Sequence, residues 1–96
     1  MNKKYNGWKN YPTWNVSLWL NNDEGSYHEL MRLLDRYPDN DQAAEAIREW
    51  VTECSPLADA TGMYADILDW VLQIVDWYEI AEDNREEEEE AWTQLS

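Results

Sequence analysis

The stretch Pro38-Asp39-Asn40-Asp41-Gln42-Ala43-Ala44-Glu45-Ala46-Ile47-Arg48-Glu49-Trp50-Val51-Thr52-Glu53-Cys54-Ser55-Pro56 reads as a helix written between two stops. Pro38-Asp39-Asn40 is a turn signal, so the helix begins near Asn40 or Asp41. Ser55-Pro56 closes it, because proline lacks the N–H that would continue the ladder and disfavours helical backbone in the residue before it. At about 100° per residue, Ala43, Ile47, Trp50, Val51 and Cys54 fall on one apolar stripe. Asp41, Glu45, Glu49 and Glu53 recur every fourth residue across the opposite sector, which predicts a ladder of acids facing solvent. Such a helix is stable only with a body to cover its stripe.

The flanking sequence supplies that body as more helices. Pro12 is tolerated in a first turn, after which Trp14, Leu18 and Trp19 share a face, and Asn21, Asn22 and Gly25 are expected to stop the segment. Asn15 to Leu20 alternates briefly in the manner of a strand, but no hairpin turn flanks it. Ser26 with Glu29 reads as a capping box ahead of Tyr27, Leu30, Met31, Leu33, Leu34 and Tyr37 at helical spacing. Met63, Ile67, Leu68, Val71, Leu72 and Val75 predict a fourth helix, apolar enough around Ile74 to be the central and most buried one. Asp76, with Glu79 three residues on, caps a fifth that carries Trp77, Ile80 and Ala81. The expected fold is all-α: a compact bundle of about five short helices in a single domain spanning residues 1–96, with a basic arm over residues 1–9 and an acidic tail over 86–96 that frays under its own repulsion.

Charge is concentrated and one-sided. The 96 residues carry 21 Asp and Glu against 7 Lys and Arg, a net charge of -14, yet 44% of them are hydrophobic, which separates the chain from disordered acidic tails. Lys3, Lys4 and Lys9 lie before the first acid, and everything after Asp23 answers its acids with only Arg32, Arg36, Arg48 and Arg85. Direct binding to nucleic acid or to an anionic membrane is disfavoured, since both need cations to displace counterions. The natural partner is a basic protein surface. Seven Trp and six Tyr provide large apolar faces with polar edges. Trp14, Trp50 and Trp77 are expected in the core, with Trp8 and Trp92 as exposed anchors. One cysteine excludes an internal disulfide, and neither a signal peptide nor a membrane span is visible, which together point to the cytoplasm.

Catalytic, cofactor and metal sites are not expected. His28 stands alone beside a helix start, where the macrodipole disfavours its charged form. Cys54 falls on the apolar stripe with no histidine near it in sequence, and is expected as a small buried hydrophobe. Asp39-Asn40-Asp41 opens like a calcium loop, but Ala43 occupies the third ligand's place and no glycine follows. The acids form a second group after the ladder: Glu79, Asp83 and Glu87 at spacing four, with Glu82, Glu86 and Glu90 beside them. At 1.5 Å rise per residue, acids four apart stand about 6 Å apart along a helix, broadly like successive phosphates on a nucleic-acid strand. Asp41, Glu45, Glu49, Glu53, Glu79, Glu82, Asp83, Glu86, Glu87, Glu90 and Trp92 are therefore the expected partner-binding residues.

Tyr11-Pro12-Thr13-Trp14-Asn15-Val16-Ser17-Leu18-Trp19-Leu20-Asn21-Asn22-Asp23, with Val75-Asp76-Trp77-Tyr78-Glu79-Ile80-Ala81, resembles a family of small acidic proteins encoded by phages and other mobile elements. The resemblance implies host takeover or defence evasion, and names no reaction. In overall composition the chain also looks like DNA-mimic antirestriction and anti-CRISPR proteins. Together these imply a non-enzymatic inhibitor whose acids occupy the nucleic-acid site of a host restriction enzyme, CRISPR effector or similar defence protein. The other reading is a structural or regulatory module that recognises its partner through Trp-rich apolar contacts. The basic N-terminal segment departs from a uniformly acidic mimic and leaves the first helix as a separate contact or dimer surface. Homodimerisation must overcome charge repulsion with an apolar patch that meets its twin.

Overall fold

The structure, a computed structural model, describes residues 5–85. It is all-α, with helices α1 (Tyr11–Asn22), α2 (Glu24–Arg36), α3 (Asn40–Glu53), α4 (Met63–Ile74) and α5, described over 77–85. Ahead of α1, Tyr5 and Trp8 exchange backbone hydrogen bonds of 2.9 and 2.6 Å across a tight turn. Asn6 and Gly7 sit at its centre with φ of 46° and 88°, backbone angles that Asn and Gly tolerate best.

Most helix starts are set by short side chains that accept backbone N–H groups otherwise left without partners. The Asn10 carboxamide accepts Thr13 N–H at 2.9 Å, the Asp23 carboxylate accepts Ser26 N–H at 2.9 Å, and the Asp76 carboxylate accepts Glu79 N–H at 3.0 Å. Asp39 holds Asp41 N–H more loosely at 3.4 Å, so Asp39-Asn40-Asp41 serves as turn and cap. Asp23 ends α1 and opens α2, so α2 begins three residues before the expected Ser26 cap, and Gly25 lies inside its first turn. Two side chains competed for one cap. The aspartate that also terminates the preceding helix took it.

The core gathers Leu20 of α1, Leu30, Leu33 and Leu34 of α2, Ala43, Ala44 and Ile47 of α3, Val75, and Trp77, Ile80 and Ala81 of α5. Leu30, Leu34, Ile47 and Ile80 are fully buried. The central helix is therefore α5, not α4 as its apolar content suggests. Only Ala65 of α4 is buried, while Met63, Tyr64, Ile67 and Trp70 are each more than half exposed. Apolar residues occupy both sides of α4, and a helix resting on one side of the body covers only one of them.

α1 also turns an unexpected face inward. Its buried residues are Thr13, Ser17 and Leu20, whereas Leu18 is exposed and Trp19 is 66% exposed. Thr13 is buried because it joins the two ends of the fold. Its hydroxyl donates to Asn10 Oδ1 at 2.6 Å and accepts Asp76 N–H at 2.8 Å, while Asn10 Nδ2 donates to the Ile74 carbonyl at 2.8 Å. Glu79 completes the joint by accepting Lys9 N–H at 3.0 Å. The two segments that carry the sequence resemblance thus meet in space and hold the α1 start against the α4–α5 junction.

Arg85 makes a second long-range tie. Its guanidinium donates to Asn40 Oδ1 at 2.7 Å and to the carbonyls of Leu34 and Tyr37, both at 2.9 Å. It thereby satisfies carbonyls at the end of α2 and sets a positive charge at that helix's negative pole.

Candidate functional site

The α3 acids stand as the spacing implies. Asp41, Glu45, Glu49 and Glu53 are all exposed, on the side away from the buried Ala43, Ala44 and Ile47. Arg48 pairs with Glu45 within the row, its Nε donating at 3.3 Å and its Nη2 forming the ion pair. A second pair of this kind joins Arg32 to Glu29 on α2, at 2.9 and 2.6 Å. In both, the arginine hydrogen bonds hold the glutamate below its ordinary pKa of 4.5. Because the folded value is the lower one, the stabilisation is complete above pH 4.5 and is lost as pH falls through the depressed value. An NMR titration of the side-chain carboxyls should place the midpoints of Glu29 and Glu45 below 4.5, and Arg48→Gln should return Glu45 toward that value while leaving Glu29 in place.

Of the second group of acids, Glu79, Glu82 and Asp83 are among the described residues, and these three do not share one exposed face. Glu79 is buried at 7% exposure, turned into the joint with Lys9 rather than toward a partner. Its position three residues after the Asp76 cap places it at the positive pole of α5, which stabilises a carboxylate there. Asp83 is half-buried and Glu82 exposed. Glu86, Glu87, Glu90 and Trp92, with the expected fraying of 86–96, lie outside the described residues, as do residues 1–4 of the basic arm.

Other expected contacts also change place. Trp8 is half-buried against the core instead of standing free, and Trp50 packs on the core's edge. Trp77 is buried, its indole N–H donating to the Leu72 carbonyl at 3.1 Å. Trp14 lies outside the core cluster, with its ring centroid 5.0 Å from Tyr5 and 5.6 Å from Tyr11. Cys54 is exposed rather than buried, since α3 ends at Glu53 and the chain turns away before the stripe is covered. His28 is exposed 3.8 Å from Glu24.

The surface that sequence reasoning missed is on α4. Met63, Ile67, Trp70 and Ile74 recur at spacings of four, three and four, and form an outward apolar stripe opposite Ala65 and Leu72. The signal lay in two interleaved stripes on one helix, of which only one could meet the core. Among the described residues, two depressions border α4. One of ≈ 590 Å³ is lined mainly by apolar groups, among them Leu20, Trp50, Val51, Leu57, Leu68 and Leu72. The other, of ≈ 210 Å³, brings Asp69 and Gln73 of α4 beside Arg48 and Thr52 of α3. No Lys, Arg or His occurs between Arg48 and Arg85, so every ionic side chain from Glu49 to Asn84 is acidic. Among the described residues no group of three or more His, Cys, Asp or Glu is placed to hold a metal ion, and no helix is long and apolar enough to cross a membrane.

Residues 1–91 match the family described as "Family of unknown function (DUF7249)". The chain belongs to this family. No curated protein and no solved structure matches it. The match takes in the Thr13–Asp76 joint, the α3 acid row and the α4 stripe of this DUF7249 member.

Proposed function

We propose that the protein acts without catalysis, as an inhibitor in the cytoplasm of a host cell. In this reading its acidic surface occupies the basic nucleic-acid site of a defence protein such as a restriction enzyme or CRISPR effector. The observation that carries it is the α3 row. Four solvent-facing acids stand on one helix backed by the core, and the exposed Asp66 and Asp69 extend the charge onto α4. Carboxylates repeating every ~6 Å offer basic residues a phosphate-like series. Long-range attraction then speeds the encounter, and apolar contacts supply specificity.

The test is capture from host lysate on immobilised protein at low salt, elution with rising salt, and identification of what is released. Supporting results are a nucleic-acid enzyme whose affinity falls steeply with salt, competition by duplex DNA, and loss of at least tenfold in affinity in the triple variant Glu45→Lys, Glu49→Lys, Glu53→Lys. Binding indifferent to salt, DNA and charge reversal would sink the reading. The α4 stripe favours a second reading, an interaction module that recognises its partner through apolar contacts, with acids serving solubility. There Trp70→Ala abolishes binding and the triple charge reversal leaves it intact.

A further inference from the structure

We propose that the outward stripe of α4 is the seat of a basic amphipathic helix presented by a partner protein, its apolar side on Met63, Ile67, Trp70 and Ile74 and its basic edge turned toward α3. The inference rests on the reading of the α3 row as a partner-binding face and names what sits beside it.

Three observations lead to this occupant. The stripe spans Met63 to Ile74 at the four-three-four spacing by which one helix receives another, and about 16 Å of axis is enough for roughly three turns of a partner helix. Its exposure is high where a solitary helix would carry polar groups: Met63 63%, Ile67 55% and Trp70 62%. The two flanks differ. On a helical projection Tyr64, Val71 and Leu68 border one side. Asp66, Gln73 and Asp69 border the other, and Asp69 and Gln73 share a depression with Arg48 and Thr52 of α3. The acidic flank is thus continuous with the helix that bears the acid row. An apolar stripe with acid on one side only fits a helix that is apolar along one face and basic along one edge. A second copy of this chain is a poorer occupant, because each carries a net charge of -14 and the same aspartate flank.

The test uses three synthetic peptides of equal length, a Leu/Lys amphipathic helix, an all-Lys peptide and a Leu/Glu amphipathic helix, titrated into the full chain. Binding is followed by amide NMR shifts and Trp fluorescence. The expected result is that the Leu/Lys helix binds most tightly, shifts residues 63–74, and loses at least tenfold in affinity in Ile67→Ser and in Trp70→Ala. The all-Lys peptide should bind more weakly and be indifferent to both substitutions. Far-UV circular dichroism checks that these exposed positions leave the fold unchanged. Leu/Lys binding unaffected by either substitution overturns the proposal. So do equal binding of the Leu/Glu helix and a micromolar homodimer dispersed by Trp70→Ala in sedimentation. The triple α3 reversal separates the two readings: peptide shifts that persist on α4, together with lysate capture that the reversal leaves unchanged, sustain this inference and remove the acid-row one.

Discussion

Arg85→Met should lower the free energy of unfolding by about 3 kcal/mol, read as an earlier midpoint in urea, because hydrogen bonds from a charged donor each contribute about 1.5–3 kcal/mol and do not simply add. The substitution keeps the apolar stem and removes the fork that binds Asn40 Oδ1 and the carbonyls of Leu34 and Tyr37. The carbonyls at the end of α2 then lose their donor, and the helix loses the cation at its negative pole. Arg85→Lys should fall between parent and Met, since an ammonium carries the charge but cannot reach three acceptors in one plane. A Met variant within 0.5 kcal/mol of the parent would show that water replaces the fork without cost.

Thr13→Val should cost about 1–3 kcal/mol, the usual penalty for leaving a buried polar group without its partner. Valine matches threonine in shape, so the core changes little. The loss is specific: Asp76 N–H gives up its 2.8 Å acceptor, and Asn10 Oδ1 gives up the 2.6 Å hydroxyl. Thr13→Ser retains both bonds and should cost about 1 kcal/mol for the methylene-sized loss. Equal destabilisation by Val and Ser would mean that packing, and not the joint between α1 and the α4–α5 junction, sets the value of this position.

The helices themselves were legible because their punctuation is local. Pro12, Pro38 and Pro56 constrain backbone wherever they stand, and Asp76 capped α5 as its spacing to Glu79 implied. What was not legible is orientation. Thr13 and Ser17 face inward because hydrogen bonding there is long-range, and a hydrophobic pattern assigns polar residues to the surface. On α4, apolar residues at two interleaved spacings announce a helix without saying which side the body will cover. Spacing alone sets Glu79 in a row with Asp83, whereas it is buried and accepts a hydrogen bond from the Lys9 N–H, 70 residues away in sequence. The α3 row survived because its whole apolar stripe was on one side, and so its acids had only one place to go.

The central position of α5 also governs how the chain comes into being on the ribosome. Leu30, Leu34 and Ile47 emerge long before Ile80, the side chain with which they share the fully buried centre. Until then Leu30, Leu34 and Ile47 have no Ile80 to pack against, and Thr13 lacks the Asp76 N–H that follows 63 residues later. Contacts of such high sequence separation form slowly, and unfinished apolar clefts are what chaperones bind. The complete core is therefore available to the growing chain only once α5 has been delivered.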